Sequence, residues 1–204
     1  MEKLNCIKTT WDEMHNYAKN TCDNIKKDNF RVDIIIGLSR GGLVPARMFC
    51  DFLHVKNCYT IKVDHWGITA SKDNQAKLTH KLNLDLSGKN ILVVDDITDT
   101  GQSMILAIEH LKELNPKEIK TATMIHLKHS KYKPDFYGKE MGRAWIVFPW
   151  NYREDMVNLI KRLEKEHIDD IKKEMKDNFN VDIDKEELKE ILEHIEYVDG
   201  KQNP

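Results

Sequence analysis

From Val32 to Gly37 the chain reads VDIIIG, a β-branched run stopped by glycine, which predicts a short buried strand. LVPARMFCDFLH follows at helical spacing, with Pro45 near its start, where a missing N–H costs little. NCYTIKV from Asn57 and NILVV from Asn90 predict two more strands, and SMILAIEHLKEL from Ser103 predicts a helix. IKTATMIHL, ending at Leu127, and AWIVF, from Ala144, predict a fourth and a fifth strand. Ahead of them all, residues 9–27 carry a helical pattern opened by Thr10 and Glu13, which have capping-box spacing. Strands alternating with helices imply an α/β fold, a mainly parallel sheet flanked by helices on both faces. Ligands of such sheets sit outside the carboxyl ends of the strands.

Two stretches break the rhythm. Residues 64–88 are polar with scattered apolar positions, long for a connection in a compact domain, and predict a flexible hood. From Asn151 onward, charged amphipathic segments predict helices, with start signals at Asn151 and Glu154 and at Asp184 and Glu187. The expected organisation is a domain of residues 1–150 and a helical C-terminal extension of residues 151–204. The extension's apolar positions, from Met156 and Leu159 to Leu188 and Ile191, recur at helical spacing and need a partner surface. The options are the ligand side of the first domain or a second subunit of a homo-oligomer, and the second is expected.

Composition narrows the function classes. Charged residues make up 32% of the 204, yet the formal net charge is −2, so no global field draws nucleic acid. No run of ~18 apolar residues is available to span a membrane. MEKLNCIKTT has no apolar signal core, and a cytoplasmic location is expected. Cys6, Cys22, Cys50 and Cys58 show neither a CxxC pair nor zinc spacing, and reduced thiols are expected.

Candidate chemistry concentrates in ILVVDDITDTGQS. An apolar strand runs into Asp95 and Asp96, and the turn from Asp99 through Thr100, Gly101 and Gln102 to Ser103 enters a helix. Backbone donors, two hydroxyls and the positive end of a helix dipole make an anion cradle, and Gly101 lets the backbone approach closely. Asp95 and Asp96 are acceptors suited to sugar hydroxyls or to a hard cation such as Mg²⁺. Phosphate at one end and vicinal hydroxyls at the other describe a ribose 5-phosphate. A second turn, Ser39, Arg40, Gly41 and Gly42, follows the first strand; its glycines permit unusual dihedrals and Arg40 offers a planar fork for phosphate oxygens.

The complete string resembles the phosphoribosyl pyrophosphate (PRPP) signature of type I phosphoribosyltransferases, and the SRGG turn looks like their pyrophosphate loop. The resemblance covers about residues 30–152 and is closest to the xanthine–guanine and hypoxanthine–guanine enzymes. It implies the type I phosphoribosyltransferase fold, purine salvage, Mg²⁺ as cofactor, PRPP and a purine base as substrates, and a dimer or tetramer. Carried over residue by residue, it puts Asp95 and Asp96 on the ribose or its Mg²⁺ and residues 99–103 on the 5-phosphate. Ser39, Arg40 and Gly41 fall on pyrophosphate, and Asp99 becomes the acid that exchanges a proton with purine N7. TMIHLK ends at Lys128, where relatives have a lysine that donates to the oxygen of a 6-oxopurine. WIVFPWN looks like the purine-binding segment, with Trp145 and Ile146 at the base. Relatives specialised for xanthine and guanine often carry acids where this chain has Val147 and Asn151, so hypoxanthine stays among the candidate bases. Lys72, Lys77 and Lys81 are placed to meet pyrophosphate from the hood. The alternative is a regulator that binds PRPP or nucleotides without turnover.

Overall fold

The computed structural model describes residues 3–65, 76–165 and 167–200. The chain separates into two compact units, Asp12–Arg143 and a second unit of Met1–Trp11 with Ala144–Pro204.

The first unit carries a six-stranded sheet in the order β4-β3-β2-β5-β6-β7. Its strands are β2 (Ile34–Ser39), β3 (Cys58–His65), β4 (Ala76–His80), β5 (Asn90–Thr98), β6 (Glu118–Leu127) and β7 (Phe136–Met141). All neighbouring pairs are parallel except β3 and β4. The inner strands read as apolar runs because both faces are covered. Ile34, Ile36, Ile91 and Val93 form one buried cluster with Met104, Ala107 and Leu111 of α3 (Gln102–Lys112). The alternate positions face α2 (Leu43–Leu53), which comes so near that a Cβ at Gly37 would lie 2.9 Å from that of Ala46. Helix α1 (Trp11–Lys27) buries Met14, Ala18, Cys22 and Ile25 at intervals of three and four.

The second unit pairs β1 (Cys6–Lys8) with β8 (Trp145–Val147) in a parallel two-stranded sheet. The fifth predicted strand therefore exists but does not join the main sheet. Three helices complete the unit, α4 (Tyr152–Leu163), α5 (Ile168–Phe179) and α6 (Lys185–Gly200). The sequence pattern ran without a break through residues 151–177; the chain ends α4 at Glu164, which turns left-handed at φ 52°. Asp184 caps α6 as its spacing predicted, its Oδ1 accepting from the Glu186 and Glu187 N–H groups at 3.0 and 2.8 Å.

The apolar stripes of the tail do not need the second subunit expected for them. Met156, Leu159, Ile160, Leu163, Ile171, Met175, Leu188 and Ile191 bury one another together with Cys6 and Val147. For that reason the units part at residues 143 and 144, short of the boundary expected after residue 150, and the first eleven residues go with the tail. Among the described residues no helix is long and apolar enough to cross a membrane. Of the expected hood, residues 66–75, Lys72 among them, lie outside the described residues, whereas Lys77 and Lys81 are exposed on and just after edge strand β4.

Candidate active site

Strands β2 and β5 are neighbours, with Gly37 opposite Val94, so the two turns picked out in the sequence leave the same end of the sheet side by side. β5 does not stop at Val94; it runs through both acids to Thr98. Side chains alternate along a strand, which puts Asp95 on the α3 face and Asp96 on the α2 face. Asp96 is buried, and the backbone of Gly41 lies so tightly against it that a Cβ there would overlap the carboxylate. Glycine is needed at residue 41 for this approach. The Ser39–Arg40 peptide is cis. The Ser39 hydroxyl shares a hydrogen bond with that of Thr60 on β3.

Asp95 accepts from the Asp96 backbone N–H at 3.0 Å. Loss of water around its carboxyl, and then the neighbouring Asp96 charge, push its pKa well above the ordinary carboxylate value. The folded state therefore holds the Asp95 proton more firmly than the unfolded chain does. Stability falls as pH rises from the ordinary carboxylate pKa through the raised one. Asp95→Asn removes that cost and should stabilise the ligand-free protein by about 1 kcal/mol, or roughly 3 °C in Tm, while impairing its ligand chemistry. Thermal denaturation at neutral pH reads this directly; a lower Tm would show that the Asp95 charge is compensated within the fold.

Past the acids, Gly101 adopts φ +82° and begins α3. Space above it is closed by the loop after β6: a Cβ would come within 2.5 Å of the Tyr132 Cβ and 3.0 Å of the Ser130 Oγ. The Lys131 N–H donates to the Thr100 carbonyl at 3.2 Å, and the Gln102 N–H reaches the Thr100 Oγ1 at 3.4 Å. Helices α2 and α3, the two that follow the glycine turns, start at glycine with no side-chain cap and no acid in the first turn. By contrast α1, α4, α5 and α6 each carry two acids there. Those acids answer the helix dipole; the first turns of α2 and α3 carry no such charge.

Asp99 is exposed, and its Oδ1 pairs with the His129 Nε2 at 2.6 Å. Read from the sequence, His129 is a strand-end residue and not a metal ligand; its link to Asp99 joins the turn after β5 to the turn after β6, and no local spacing signals it. Thr98 and His126, register partners at the ends of β5 and β6, make a buried hydroxyl–imidazole pair at 3.0 Å. Burial holds the His126 pKa down, favouring the neutral ring. Lys128 follows β6, exposed, with its Nζ 3.8 Å from the Glu140 Oε1. These groups all belong to the first unit. The remaining candidates lie in the second, where Trp145 donates its indole N–H to Asp155 at 3.2 Å and Ile146 is buried. There Phe148 stacks on Trp150 with centroids 4.9 Å apart, and Trp11 meets Trp150 at 5.7 Å.

The family description "phosphoribosyl transferase domain" matches residues 7–156. The chain belongs to this family. It is thus an enzyme of the phosphoribosyltransferase kind, with the type I fold. Among its relatives is a hypoxanthine-guanine phosphoribosyltransferase of Schizosaccharomyces pombe, 27% identical over 183 residues that span 71% of this chain and 88% of that one. A xanthine-guanine phosphoribosyltransferase of Chromohalobacter salexigens is 26% identical over 157 residues, spanning 74% and 90%. Among solved structures, a purine phosphoribosyltransferase from Pyrococcus horikoshii Ot3 superposes with a TM-score of 0.64 at 29% identity, over 72% of this chain and 94% of that one. The α5–α6 part of the tail, beyond residue 156, lies outside the family match.

Proposed function

We propose that this phosphoribosyltransferase moves ribose 5-phosphate from PRPP to a 6-oxopurine, giving the nucleoside monophosphate and pyrophosphate. One observation carries the reading: adjacent strands deliver a tight glycine turn and an acid-rich turn to one end of the sheet, with Gly41 against Asp96 and both following helices starting without a side-chain cap or a first-turn acid. The relatives named for hypoxanthine, guanine or xanthine support the choice of base.

In this reading the turn from Thr100 to Ser103 anchors the 5-phosphate, which takes no part in the chemistry and whose binding energy orients C1. Asp95 and Asp96 are assigned, from the two faces of β5, to the ribose hydroxyls and to the positive charge that develops at C1 in an oxocarbenium-like transition state. The SRGG turn receives pyrophosphate. Asp99 exchanges a proton with purine N7, and His129 holds its carboxylate in place. Among the described residues no cluster of three or more His, Cys, Asp or Glu is built for a metal. Asp95 and Asp96 are the residues that would hold a Mg²⁺ ion, a hard cation that takes carboxylate oxygens. Bound there, Mg²⁺ would neutralise charge on the departing pyrophosphate.

Lys128 selects the base. Its ammonium donates to an exocyclic oxygen, whereas adenine offers a donor to a donor. Lys128→Ala should lower kcat/KM for hypoxanthine or guanine by about 10–100-fold, the scale of one charged hydrogen bond, and shrink the preference over adenine. The check is kcat/KM for each base at saturating PRPP. An unchanged ratio of 6-oxopurine to adenine would take Lys128 out of base selection.

A further inference from the structure

Two thiols at the other end of the sheet have a geometry that the transferase reaction does not use. Cys50 lies near the end of α2 and is buried; Cys58 opens β3 and is exposed. The connection between them turns at His54, left-handed at φ 55°, and the Val55 N–H is tied back to the Cys50 carbonyl at 3.0 Å. This fold-back brings the two side chains together, and they share a hydrogen bond. Cys58 stands opposite Ile35, near the start of β2, while the SRGG turn leaves that strand at its far end.

We infer that Cys50 and Cys58 are a peroxide-reactive dithiol that closes to an intramolecular disulfide, with Cys58 as the attacking sulfur and Cys50 as the resolving one. The environment divides those roles. Donation from the Cys50 S–H pulls the Cys58 thiol down to about 7, against the effect of burial and with help from the Arg47 charge. The same contact, and then burial, push Cys50 up, so it remains a protonated donor. Burial raises Cys6 to about 11 and Cys22 to about 12, which makes them inert internal controls.

Two steps complete the chemistry. The Cys58 thiolate attacks a peroxide oxygen; an S–O bond forms, the O–O bond breaks, and the departing hydroxide takes a proton to become water. Cys58 is now a sulfenic acid, oxidised as the peroxide is reduced. Cys50 then loses its proton and attacks the Cys58 sulfur; the S–S bond forms, the S–O bond breaks, and a second water leaves.

The test treats the full chain with hydrogen peroxide, blocks remaining thiols with N-ethylmaleimide under denaturing conditions, and maps tryptic peptides by mass spectrometry. Cleavage after Arg47, Lys56 and Lys62 puts the two cysteines on separate peptides. The expected product is the 48–56 peptide linked to the 57–62 peptide, lost on reduction, with Cys6 and Cys22 alkylated. In Cys50→Ser the link is absent and dimedone traps Cys58 as a sulfenic acid. Recovery of both wild-type peptides unlinked overturns the inference, whether Cys58 is untouched or irreversibly oxidised. A dimedone yield on Cys58 that is the same with and without Cys50 overturns it as well.

Discussion

Asp99→Asn should lower kcat by at least ~10², the usual scale for a positioned acid or base, with PRPP affinity changed by no more than a few-fold. Asn keeps the size of the side chain and an oxygen that can still meet the His129 ring, so the turn over Thr100 and Gly101 should hold its shape. What is lost is the carboxylate that can exchange a proton with the base. His129→Ala should cost less, since Asp99 then keeps its carboxylate and loses only a partner. Steady-state kcat at saturating base, beside calorimetric titration with PRPP, separates chemistry from binding. Wild-type turnover in Asp99→Asn would remove the residue from the mechanism; a matching loss of PRPP affinity would make it a phosphate-loop residue only.

Gly42→Ala is the second large effect, and it acts through the fold. A Cβ there would sit 2.5 Å from the Val94 carbonyl oxygen, 2.7 Å from that of Leu38 and 2.8 Å from the Leu38 nitrogen. All three are backbone atoms of β2 and β5 and cannot rotate away. The Gly42 N–H also bonds to the Leu38 carbonyl at 2.8 Å, closing the turn on itself. Accommodating one methyl means spreading the strands that hold Asp96 and the SRGG turn. The expected cost is about 3 kcal/mol, or roughly 10 °C in Tm, with PRPP binding lost alongside it. Thermal denaturation of the purified variant measures it. A shift of under about 2 °C would mean that the turn has room that the close contacts deny.

The parts of this architecture that the sequence reveals are those where periodicity and burial coincide. β2, β5 and β6 are covered on both faces, so their apolar runs stand out. The glycine turns are legible because a strand, a Gly-containing turn and a helix follow one another in the chain. β4 and β7 are edge strands, and AKLTH and FYGKEM are too polar to stand out. β1 is three residues long and exists through pairing with β8, far away in sequence. The tail taught a related lesson: Met156, Ile171 and Leu188 announced helices needing burial, but spacing along a helix does not name the surface that covers it. For Asp95 and Asp96 the sequence showed two adjacent acids; that they face opposite sides of a continuing strand, one of them under Gly41, is a property of the pleat and of a neighbouring turn. His129 and the Cys50–Cys58 pair were out of reach for the same reason, since each joins two turns or elements with no shared local motif.

The most direct measurement supplies PRPP and Mg²⁺ with hypoxanthine, guanine, xanthine, adenine or orotate in turn, and follows both mononucleotide and pyrophosphate. The two products should appear in equal amounts, with at least one 6-oxopurine used well ahead of adenine and no orotidine product. Adenine or orotate as the preferred acceptor would contradict the assignment of the base, and PRPP binding without turnover of any base would make this site a sensor of PRPP rather than a catalyst.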